Sequence, residues 1–514
     1  MNIDGLREQL GAGARVEQYI STRTLYSRDC WPFLNLHARA GAPGRWLPDA
    51  VVFPETESDV SVCVEWAREH RVPIVPYGGG SGVAGAAVPT SGGIIVDLKR
   101  LDSLELSLAD TGLAWVGAGW LGARLEQALN NRGLSLGHFP SSLGCSTVGG
   151  YVATRSAGQL STRHGKIEDL VVGLRVLLPS GQIKETFADE QDSAGLWLGS
   201  EGCLGIILSV LLRVESRPTF VRARGFAARS VEEGLDAMRE VLHQGHRPAA
   251  MRLYDEFDTL ISGARKAGRG QQKRPPHWLA DVLAVDKAAA RSLALRAATA
   301  MLSRVPAGSL LLNRAADRAY DSCLLIASVE EASEDVAEAS SIDVFSTLTD
   351  RLQDLGTAPG DYWYAHRYAV SYKLSPLMEA GLFVDTMEVA TSWTNLNTLY
   401  KAVKTAVAPL AFIMAHFSHA YSGGCSIYFT FAGFARDDDD ALAQYERVWS
   451  AAQDGVLRGG GSLTHHHGVG IMKASRLNDD HNGAAPFFDR IKAQLDPDSL
   501  MNPGKLWHTP KAFP

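Results

Sequence analysis

The glycine-dense stretch from Pro76 to Gly85 (PYGGGSGVAG) constrains the fold of this chain more than any other part of its sequence. An apolar run from Val72 to Val75 precedes it, and an apolar strand from Ile94 to Leu98 is predicted after it. Glycine has no side chain, so peptide N–H groups in such a stretch can close on an anion. Taken alone, however, this composition is more typical of a flexible loop than of a binding site.

Three glycines in this stretch, Gly80, Gly82 and Gly85, match the G-x-G-x-x-G spacing of dinucleotide-binding folds. In those folds the spacing opens a helix, whose N-terminus meets the pyrophosphate. Here Pro89 follows closely and would break a helix by its second turn. The sequence therefore predicts a strand, a loop and a second strand, which is a different way of holding a pyrophosphate.

Two further polar stretches rich in small residues follow the first. One runs from His138 to Gly150 and continues into Thr154–Gly158, and the other is the glycine turn from Gly199 to Gly205. Loops of this kind between short strands predict one extended cofactor cradle rather than a single phosphate clip. The elements predicted around them are strands at 115–119, 170–178 and 206–214 and a helix at 121–131 that ends before Gly133.

The composition excludes several classes of protein. At 514 residues the chain is long enough for two or three domains, and its net charge of −7 argues against a nucleic-acid-binding protein. The six cysteines are scattered with no C-x-x-C pair, which favours reduced thiols in the cytoplasm over a disulfide framework. Neither a signal peptide nor an apolar run of transmembrane length is present. We therefore expect a cytoplasmic protein, with a peripheral membrane contact left open.

The pattern of the chain changes at Ser216-Arg217-Pro218, after which strands alternate with longer amphipathic helices. This alternation predicts an α+β part with its own core. Residues 263–276 are rich in glycine, proline and positive charge, so we expect a solvated linker there, with a lid or an anionic-lipid contact as the alternative. The helices predicted in this part are 231–242, 287–304 with Asp286 as N-cap, 334–339 and 344–355.

A strand pair is predicted at residues 411–417 and 425–431, with a turn between them. By the two-residue period of a strand, Ile427, Phe429 and Phe431 share the core face. Tyr428 then points to the polar face. From this pattern alone, Tyr428 serves a reaction or simply completes a sheet edge, and the two interpretations have equal support.

Three consecutive histidines, His465, His466 and His467, lie between glycines, and His416 and His419 lie at the end of the first strand of that pair. Histidine titrates near neutral pH and serves as acid, base or metal ligand. Neighbouring glycines let such side chains approach a ligand closely. Three interpretations stay open from the residues alone: a metal site shared with His416 and His419, buried structural histidines, or bases beside a cofactor ring.

Several stretches together resemble known flavoproteins. Six of them resemble the FAD domain of the vanillyl-alcohol-oxidase/PCMH superfamily: Pro76–Gly82, Pro140–Gly150, Thr154–Gly158, Ile167-Glu168-Asp169, Glu201–Ile207 and Asn502-Pro503-Gly504-Lys505. Within that superfamily, the chain resembles the alkyldihydroxyacetonephosphate synthase family (alkylglycerone-phosphate synthases) through His465–Gly470, Cys425–Phe429 and Arg252-Leu253-Tyr254-Asp255.

The resemblance implies an α+β fold class, with a PCMH-type FAD-binding domain of two α+β subdomains and an α+β substrate or cap domain. The implied boundaries are an N-terminal helical segment at 1–45, the FAD-binding domain at 46–218 and the substrate or cap domain at 219–440. A C-terminal segment at 441–514 is expected to return to the FAD and the active site.

The cofactor implied is FAD, held non-covalently. A covalent flavin in such proteins requires a histidine or cysteine at set loop positions, and the first loop has neither. Cys145, in the second loop, lies where a linkage is not expected. The residues that the resemblance assigns to FAD are Pro76, Tyr77, Gly78, Gly79, Gly80, Ser81, Gly82, Pro140, Ser141, Ser142, Ser146, Thr147, Gly150, Thr154, Arg155, Ser156, Ala157, Glu201, Gly202, Gly205, Ile206, Ile207 and Asn502.

In the synthase family the flavin acts without net redox change, through a covalent adduct between its N5 atom and a substrate carbon. The acyl group leaves and a fatty alcohol replaces it. The resemblance implies catalytic roles for Tyr428, His138, His465, His466 and His467, with His467 as a candidate base. It assigns substrate binding to Lys373, Arg367, His366, Arg252, His416, His419 and Glu388.

The chain departs from the family at one position. The family's catalytic arginine, on the segment before Asp385, is replaced here by Leu374, and the adjacent Lys373 lacks the bidentate fork of arginine. His366 and Arg367 are candidates to act instead. The same departure fits an alternative function, a FAD-dependent oxidase or dehydrogenase acting on a hydroxy acid or alcohol-type small molecule. For either function we expect a small-molecule or lipid-like substrate, no nucleic acid, and a homodimer.

Overall fold

The computed structural model describes residues 3–106, 112–188, 194–262, 308–319, 322–369, 377–378 and 381–507. Helices and strands are mixed along this part of the chain, which confirms the α+β class. The helices, numbered along the described residues, are α1 (Asp4–Gln9), α2 (Ile20–Leu25), α3 (Pro32–Arg39), α4 (Glu57–His70), α5 (Gly122–Asn130), α6 (Val148–Thr154), α7 (Ser161–His164), α8 (Ile167–Leu170), α9 (Val231–His243), α10 (Glu256–Ser262), α11 (Gly308–Ala319), α12 (Glu334–Thr349), α13 (Ala358–His366), α14 (Leu396–Val407), α15 (Asp438–Arg458), α16 (Leu477–Asp480) and α17 (Ala485–Leu495).

The strands alternate with these helices in both halves of the chain. They are β1 (Arg15–Glu17), β2 (Ala50–Phe53), β3 (Ile74–Tyr77), β4 (Ile94–Asp97), β5 (Leu104–Leu106), β6 (Leu113–Gly117), β7 (Leu134–Ser135), β8 (Val171–Leu177), β9 (Ile183–Phe187), β10 (Ile206–Arg213), β11 (Glu215–Ser216), β12 (Phe220–Ala228), β13 (Ala250–Tyr254), β14 (Cys323–Glu331), β15 (Gln353–Asp354), β16 (Phe383–Ser392), β17 (Phe412–Ala420) and β18 (Gly424–Gly433).

The chain divides into two compact units. The first unit comprises Met1–Gly158, His164–Arg217 and Thr464–Pro514, and the second comprises Gln159–Arg163 and Pro218–Leu463. The change of pattern noted at Ser216-Arg217-Pro218 thus falls where the chain passes from the first unit to the second. Helix α15 lies in the second unit, although the sequence placed residues from 441 onwards in a C-terminal segment.

The first unit contains two principal sheets. The four-stranded sheet has the order β1-β2-β4-β3, in which β2, β4 and β3 are parallel and β1 is antiparallel. The five-stranded sheet, of order β5-β6-β10-β8-β9, is antiparallel throughout. Strands β6, β8 and β10 confirm the predicted runs at 115–119, 170–178 and 206–214 within a few residues. The two sheets match the two subdomains expected of a PCMH-type domain.

Helix α4 shows why the sequence folds this way locally. Thr56 and Asp59 form a capping box, in which the Thr56 hydroxyl accepts from the Asp59 peptide N–H and the Asp59 carboxylate accepts from the Thr56 peptide N–H. The apolar stripe that predicted the helix, which includes Val60, Cys63 and Val64, is buried in a core beneath the four-stranded sheet. The N-terminal capping box and one apolar face are therefore enough to specify this helix.

The second unit is built on a seven-stranded antiparallel sheet of order β15-β12-β14-β13-β17-β18-β16. Strands β17 and β18 confirm the predicted strand pair. Ile427, Phe429 and Phe431 are fully buried on one face of β18, as the two-residue period requires. Tyr428 lies on the other face.

The helix predictions for the second unit need one correction. The two separate helices expected at 334–339 and 344–355 are a single helix, α12, which ends at Thr349 and is followed by the short strand β15. The intervening Ser341 does not break the helix because its hydroxyl donates to the Glu338 carbonyl within the same helix. The helix predicted at 287–304, its cap Asp286 and the loop at 263–276 lie outside the described residues.

None of the helices in the described ranges combines the length and the apolar character that a membrane crossing requires. All six cysteines are free thiols.

Candidate cofactor and active site

The first glycine loop joins two neighbouring parallel strands, β3 and β4, and no helix opens within residues 78–93. The predicted strand, loop and strand are therefore confirmed, and the dinucleotide-fold alternative is excluded. A Cβ atom on Gly79 would lie 1.7 Å from the carbonyl oxygen of Cys145, and one on Gly78 would lie 2.2 Å from Thr147 Oγ1. The first loop thus lies directly against the second, and only glycine permits this approach.

The backbone of the first loop carries donors suited to an anion. The peptide N–H groups of Gly79, Gly80 and Ser81 donate to no peptide carbonyl among the described residues. Tyr77, at the entrance of the loop, donates its hydroxyl to the carbonyl of Arg28 at 2.9 Å. A row of unengaged N–H groups in a glycine cradle fits the pyrophosphate of FAD.

His138 lies at the start of the second loop and is fully buried. Its Nε2 atom is 3.1 Å from the Ser156 hydroxyl, and its ring meets Tyr151 edge-on at 4.7 Å. Its Nδ1 atom has no hydrogen-bond partner in the described part of the chain. Burial, and then the charges of His466 and His164, lower the pKa of His138 to about 3. His138 is therefore a neutral ring, with one nitrogen available to a bound group, in the loop assigned to FAD.

We expect His138 to make the protein less stable as the pH falls. Its folded pKa is lowered to about 3, so below the ordinary value of 6.5 the unfolded chain binds a proton that the folded chain excludes. Unfolding free energy should fall by about 1.4 kcal/mol per pH unit from this group, or about 2 kcal/mol between pH 6.5 and 5. Denaturant titrations of the apoprotein at several pH values give the unfolding free energy as a function of pH. This free energy should fall less steeply with falling pH in His138→Gln, by the amount just given. Parallel slopes for the two proteins would contradict the assignment.

The third glycine turn holds the histidine loop through Glu201. This residue has a left-handed backbone (φ 49°), and its carboxylate accepts from the peptide N–H groups of Val469 at 2.6 Å and Gly470 at 2.8 Å. Burial raises the pKa of Glu201 to about 6, although both N–H groups oppose that rise. Gly470, at φ 54°, passes so close to the first loop that a Cβ would lie 2.0 Å from the Ala84 carbonyl oxygen.

Asn502 joins the first loop to the third turn. Its amide nitrogen donates to the carbonyl of Ala86 at 2.8 Å and to that of Glu201 at 2.6 Å. The buried Lys505 ammonium adds a bond to the Val88 carbonyl at 2.7 Å, and burial lowers its pKa to about 8. Within the first unit, the loops that the sequence assigned to one cofactor cradle therefore meet. The remaining assigned residues lie beside them, on α6, on the turn after it and at the start of β10.

Replacing Asn502 by alanine should loosen this junction. The change leaves the buried carbonyl of Glu201 and the partly buried carbonyl of Ala86 without their donor, which costs about 2–3 kcal/mol of unfolding free energy. Asn482→Ala is the matched control, since Asn482 has the same left-handed backbone (φ 52°, against 41° for Asn502) but is exposed. Urea unfolding of both variants measures the difference. Equal losses would show that only the backbone strain matters.

The three consecutive histidines lie side by side on the loop that Glu201 holds. The Nδ1 atoms of His465 and His466 are 3.0 Å apart, and the rings of His466 and His467 are 4.8 Å apart at nearly a right angle. All three side chains are partly exposed, which removes the interpretation as fully buried structural histidines. The Lys166 ammonium lies 3.4 Å from the His465 carbonyl oxygen.

In the second unit, a row of polar side chains crosses four strands. Glu388 on β16 is paired with Tyr428 on β18, Tyr428 with His416 on β17, and His416 with Tyr254 on β13. Directly paired residues of antiparallel strands point to the same face, so this row forms one polar surface. Tyr428 is thus part of a cluster rather than a sheet edge.

His416 is a neutral ring with a fixed tautomer. Its Nδ1 atom lies 2.9 Å from the Asp258 carboxylate, and its Nε2 atom lies 2.5 Å from the Arg252 guanidinium. Arginine can only donate, so Nε2 accepts and the proton lies on Nδ1. Burial, and then the positive charge of Arg252, hold the pKa of His416 well below its ordinary value. Its ring stacks on Tyr428 at 4.7 Å and so positions the phenol.

His419 reaches Tyr428 through a break in the strand ladder. The pairing of β17 and β18 shifts register between Ser418 and Ala420, and His419 has a left-handed backbone (φ 53°) there. Its Nε2 atom is 2.9 Å from the Tyr428 hydroxyl, and its Nδ1 atom is 2.7 Å from the Ser161 hydroxyl. Burial, and then the negative charge of Glu388, raise the pKa of Tyr428 well above its ordinary value, so the phenol stays protonated.

The other residues predicted to bind substrate lie on or just after α13, or outside the described residues. Arg367 is buried between Tyr364 and Tyr368, with its guanidinium 3.9 Å from the Tyr364 ring centre. His366 is exposed, and its Nδ1 atom is 2.8 Å from the carbonyl of Tyr362 within its own helix. Lys373 and Leu374 lie in 370–376, outside the described part of the chain.

Three members of the second unit's cluster were missed from the sequence: Asp258, Ser161 and Tyr421. Asp258 lies just beyond the Arg252–Asp255 stretch, and its spacing gave no reason to pair it with His416. Ser161 bonds His419 from 258 positions away, so no local pattern connects the two. Tyr421 was given no role from the sequence, yet its hydroxyl donates to Ser161 at 3.0 Å.

Two family models match the chain. A FAD-binding domain matches residues 48–186, and the C-terminal domain of FAD-linked oxidases matches residues 217–506, which is more than half of the chain. Among curated proteins, an alkyldihydroxyacetonephosphate synthase from Dictyostelium discoideum is 31% identical over 481 residues, covering 90% of this chain and 74% of the relative. A mitochondrial D-lactate dehydrogenase (cytochrome) from Arabidopsis thaliana is 26% identical over 477 residues, covering 90% and 73%.

Solved structures of flavoproteins also match the chain. A structure of an alkyldihydroxyacetonephosphate synthase matches with a TM-score of 0.75 at 26% identity, covering 98% of this chain and 84% of that one. A p-cresol methylhydroxylase with substrate bound matches with a TM-score of 0.69, covering 99% and 96%, and its 13% identity makes this a likeness of fold alone.

Proposed function

Since the chain belongs to the VAO/PCMH-type FAD flavoproteins and is a FAD-dependent enzyme, we propose that it exchanges an acyl group for an alkoxy group on a lipid-like substrate. This is the reaction type that the resemblance to alkyldihydroxyacetonephosphate synthases implies. The 31% identity over 90% of the chain supports it. A cytoplasmic location and a homodimer stay predictions from the sequence.

FAD is the cofactor, and it is held non-covalently by the loops that meet in the first unit. The N–H groups of Gly79, Gly80 and Ser81 would face its pyrophosphate, and the free Nδ1 atom of His138 is available to its remaining polar groups. Bound, the flavin ring supplies the reactive centre that both candidate functions require. The part left to the protein is to place the substrate and to move protons.

The observation that carries the proposal is the bond between the Tyr428 hydroxyl and His419. An exchange of acyl for alkoxy must take a proton from the incoming alcohol and can return one to the departing acyl group. A protonated phenol bonded to an imidazole can donate a proton and be resupplied. Arg252, next to this pair on the same face, would attract a negatively charged substrate group, and its Nε atom has no partner among the described residues. His467 would act as the base for the alcohol.

The test is an exchange assay on the yellow holoprotein. Acyl-dihydroxyacetone phosphate and a long-chain alcohol should give one ether product and one free fatty acid per turnover, with no peroxide. Mass spectrometry follows both products. No ether from any alcohol chain length, with FAD bound at full stoichiometry, would exclude this function.

A second candidate is a FAD-dependent dehydrogenase or oxidase of a small hydroxy acid, which the D-lactate dehydrogenase relative supports. Arg252 would then hold the substrate carboxylate. A hydroxy acid such as D-lactate would bleach the flavin under anaerobic conditions, and oxygen or an artificial acceptor would restore the colour. An exchange enzyme stays yellow in the same experiment.

A further inference from the structure

We propose that Ser161 is a positioning residue for Tyr428: it fixes His419 in the tautomer that carries its proton on Nε2, so that the Tyr428 hydroxyl directs its own proton to the substrate. The inference rests on the proposed function for its role in turnover, but the tautomer itself is independent of that function. Ser161, His419, Tyr421 and Tyr428 all belong to the second unit.

The first step concerns the proton of Ser161. Its hydroxyl is fully buried, accepts from the Tyr421 hydroxyl at 3.0 Å and lies 2.7 Å from His419 Nδ1. Among the described residues it has no other hydrogen bond. If it also accepted from His419, its own proton would be buried without an acceptor, which is costly. Ser161 therefore donates to His419 Nδ1.

The second step follows from the chemistry of imidazole. A neutral ring that accepts at Nδ1 carries its proton on Nε2. That proton points at the Tyr428 oxygen, 2.9 Å away. Tyr428 therefore accepts from His419, and its own proton is directed elsewhere on the polar face. The four groups form a chain in one direction, from Tyr421 to Ser161, to His419 and to Tyr428.

This chain can resupply the proton that Tyr428 gives up. When the Tyr428 O–H bond breaks and its proton bonds to a substrate oxygen, the Nε2 proton moves to the Tyr428 oxygen. The Ser161 proton then moves to Nδ1 and the Tyr421 proton moves to Ser161. Tyr421, which is only half-buried, regains a proton from water. Each group loses one proton and gains one, so the net transfer is one proton from water to the substrate.

The tautomer is tested by NMR on the FAD-loaded protein labelled with ¹⁵N-histidine. The two ring nitrogens differ in ¹⁵N shift and in coupling to the ring protons, and His419→Gln identifies the resonances by their loss. We expect a protonated Nε2 and an unprotonated Nδ1, which Ser161→Ala should convert toward the opposite tautomer. A protonated Nδ1 in the unaltered protein overturns the inference, and this result needs neither turnover nor a variant of Ser161.

The consequence for turnover is tested with the same holoproteins. Ser161→Ala should lower kcat by about 10- to 100-fold with FAD content and KM unchanged, because only the direction of the Tyr428 proton is lost. Ser161→Thr keeps the hydroxyl and should recover most of the rate. Ser418→Ala is the control, since Ser418 is a buried neighbour of His419 whose hydroxyl has no partner among the described residues.

An unchanged kcat in Ser161→Ala overturns the positioning role. If no variant and no unaltered protein performs the acyl exchange, the proposed function fails while the histidine resonances still decide the tautomer. The two failures are therefore distinguishable.

Discussion

Tyr428→Phe should abolish nearly all turnover while leaving the protein yellow. The substitution removes the oxygen that is hydrogen-bonded to His419 at 2.9 Å, and it leaves the stacking on His416 in place. Loss of a positioned proton donor costs about 10²- to 10⁴-fold in rate. Because every residue assigned to FAD lies in the first unit, FAD content should not change. Steady-state rates and the absorbance ratio of flavin to protein measure the two effects separately.

Tyr400→Phe is the matched control for this experiment. Tyr400 is another buried tyrosine of the second unit, and its hydroxyl donates to Asp255 at 3.1 Å. The same atom is removed there, so we expect a loss of stability of about 1 kcal/mol but full turnover per folded molecule. Comparable kcat values in the Tyr428→Phe and unaltered proteins would reduce Tyr428 to a structural residue of the sheet.

Gly79→Ala should weaken the binding of FAD. The added Cβ would lie 1.7 Å from the carbonyl oxygen of Cys145, far inside contact distance, so the first and second loops must separate. Overpacking of this kind costs about 1–3 kcal/mol, which corresponds to a rise in the FAD dissociation constant of about 5- to 150-fold. Flavin fluorescence during titration of the apoprotein with FAD gives the constant directly.

Gly144→Ala serves as the comparison for Gly79→Ala. Gly144 lies on the second loop, and a Cβ there would meet no atom within 4 Å. We expect its FAD dissociation constant to stay within about threefold of the unaltered value, since a surface change of this kind usually costs at most 0.5 kcal/mol. If both variants lost FAD equally, the close approach of the two loops would not be the cause.

Local patterns in the sequence were sufficient to predict the elements that we assign to FAD binding. The glycines before Pro89 predicted a loop without a helix, and the alternation around Tyr428 placed this residue on the polar face of its strand. Both features depend on neighbouring residues, and the structure confirms both. The division of 334–355 into two helices was wrong, because one helix runs without interruption from Glu334 to Thr349.

The contacts that define the polar row of the second unit could not be predicted in the same way. His419 reaches Tyr428 only because the ladder shifts register beside it, and a register shift leaves no mark in the alternation of apolar residues. Asp258 and Ser161 meet their histidines across 158 and 258 positions of sequence. Contacts at that distance are set by how strands pair in the folded sheet.

The bonds made by Asn502 have a consequence for biosynthesis. Its side-chain amide donates a hydrogen bond to the carbonyl of Ala86, 416 positions earlier in the sequence. The peptide N–H of Ile74 donates to the carbonyl of Leu500, and the peptide N–H of Asn502 donates to the carbonyl of Ile74. A nascent chain therefore lacks these contacts to β3 and to Ala86 until Asn502 has left the ribosome. A ribosome that stalls before this point therefore leaves the carbonyl groups of Ala86 and Glu201 without the amide that bonds them in the folded protein.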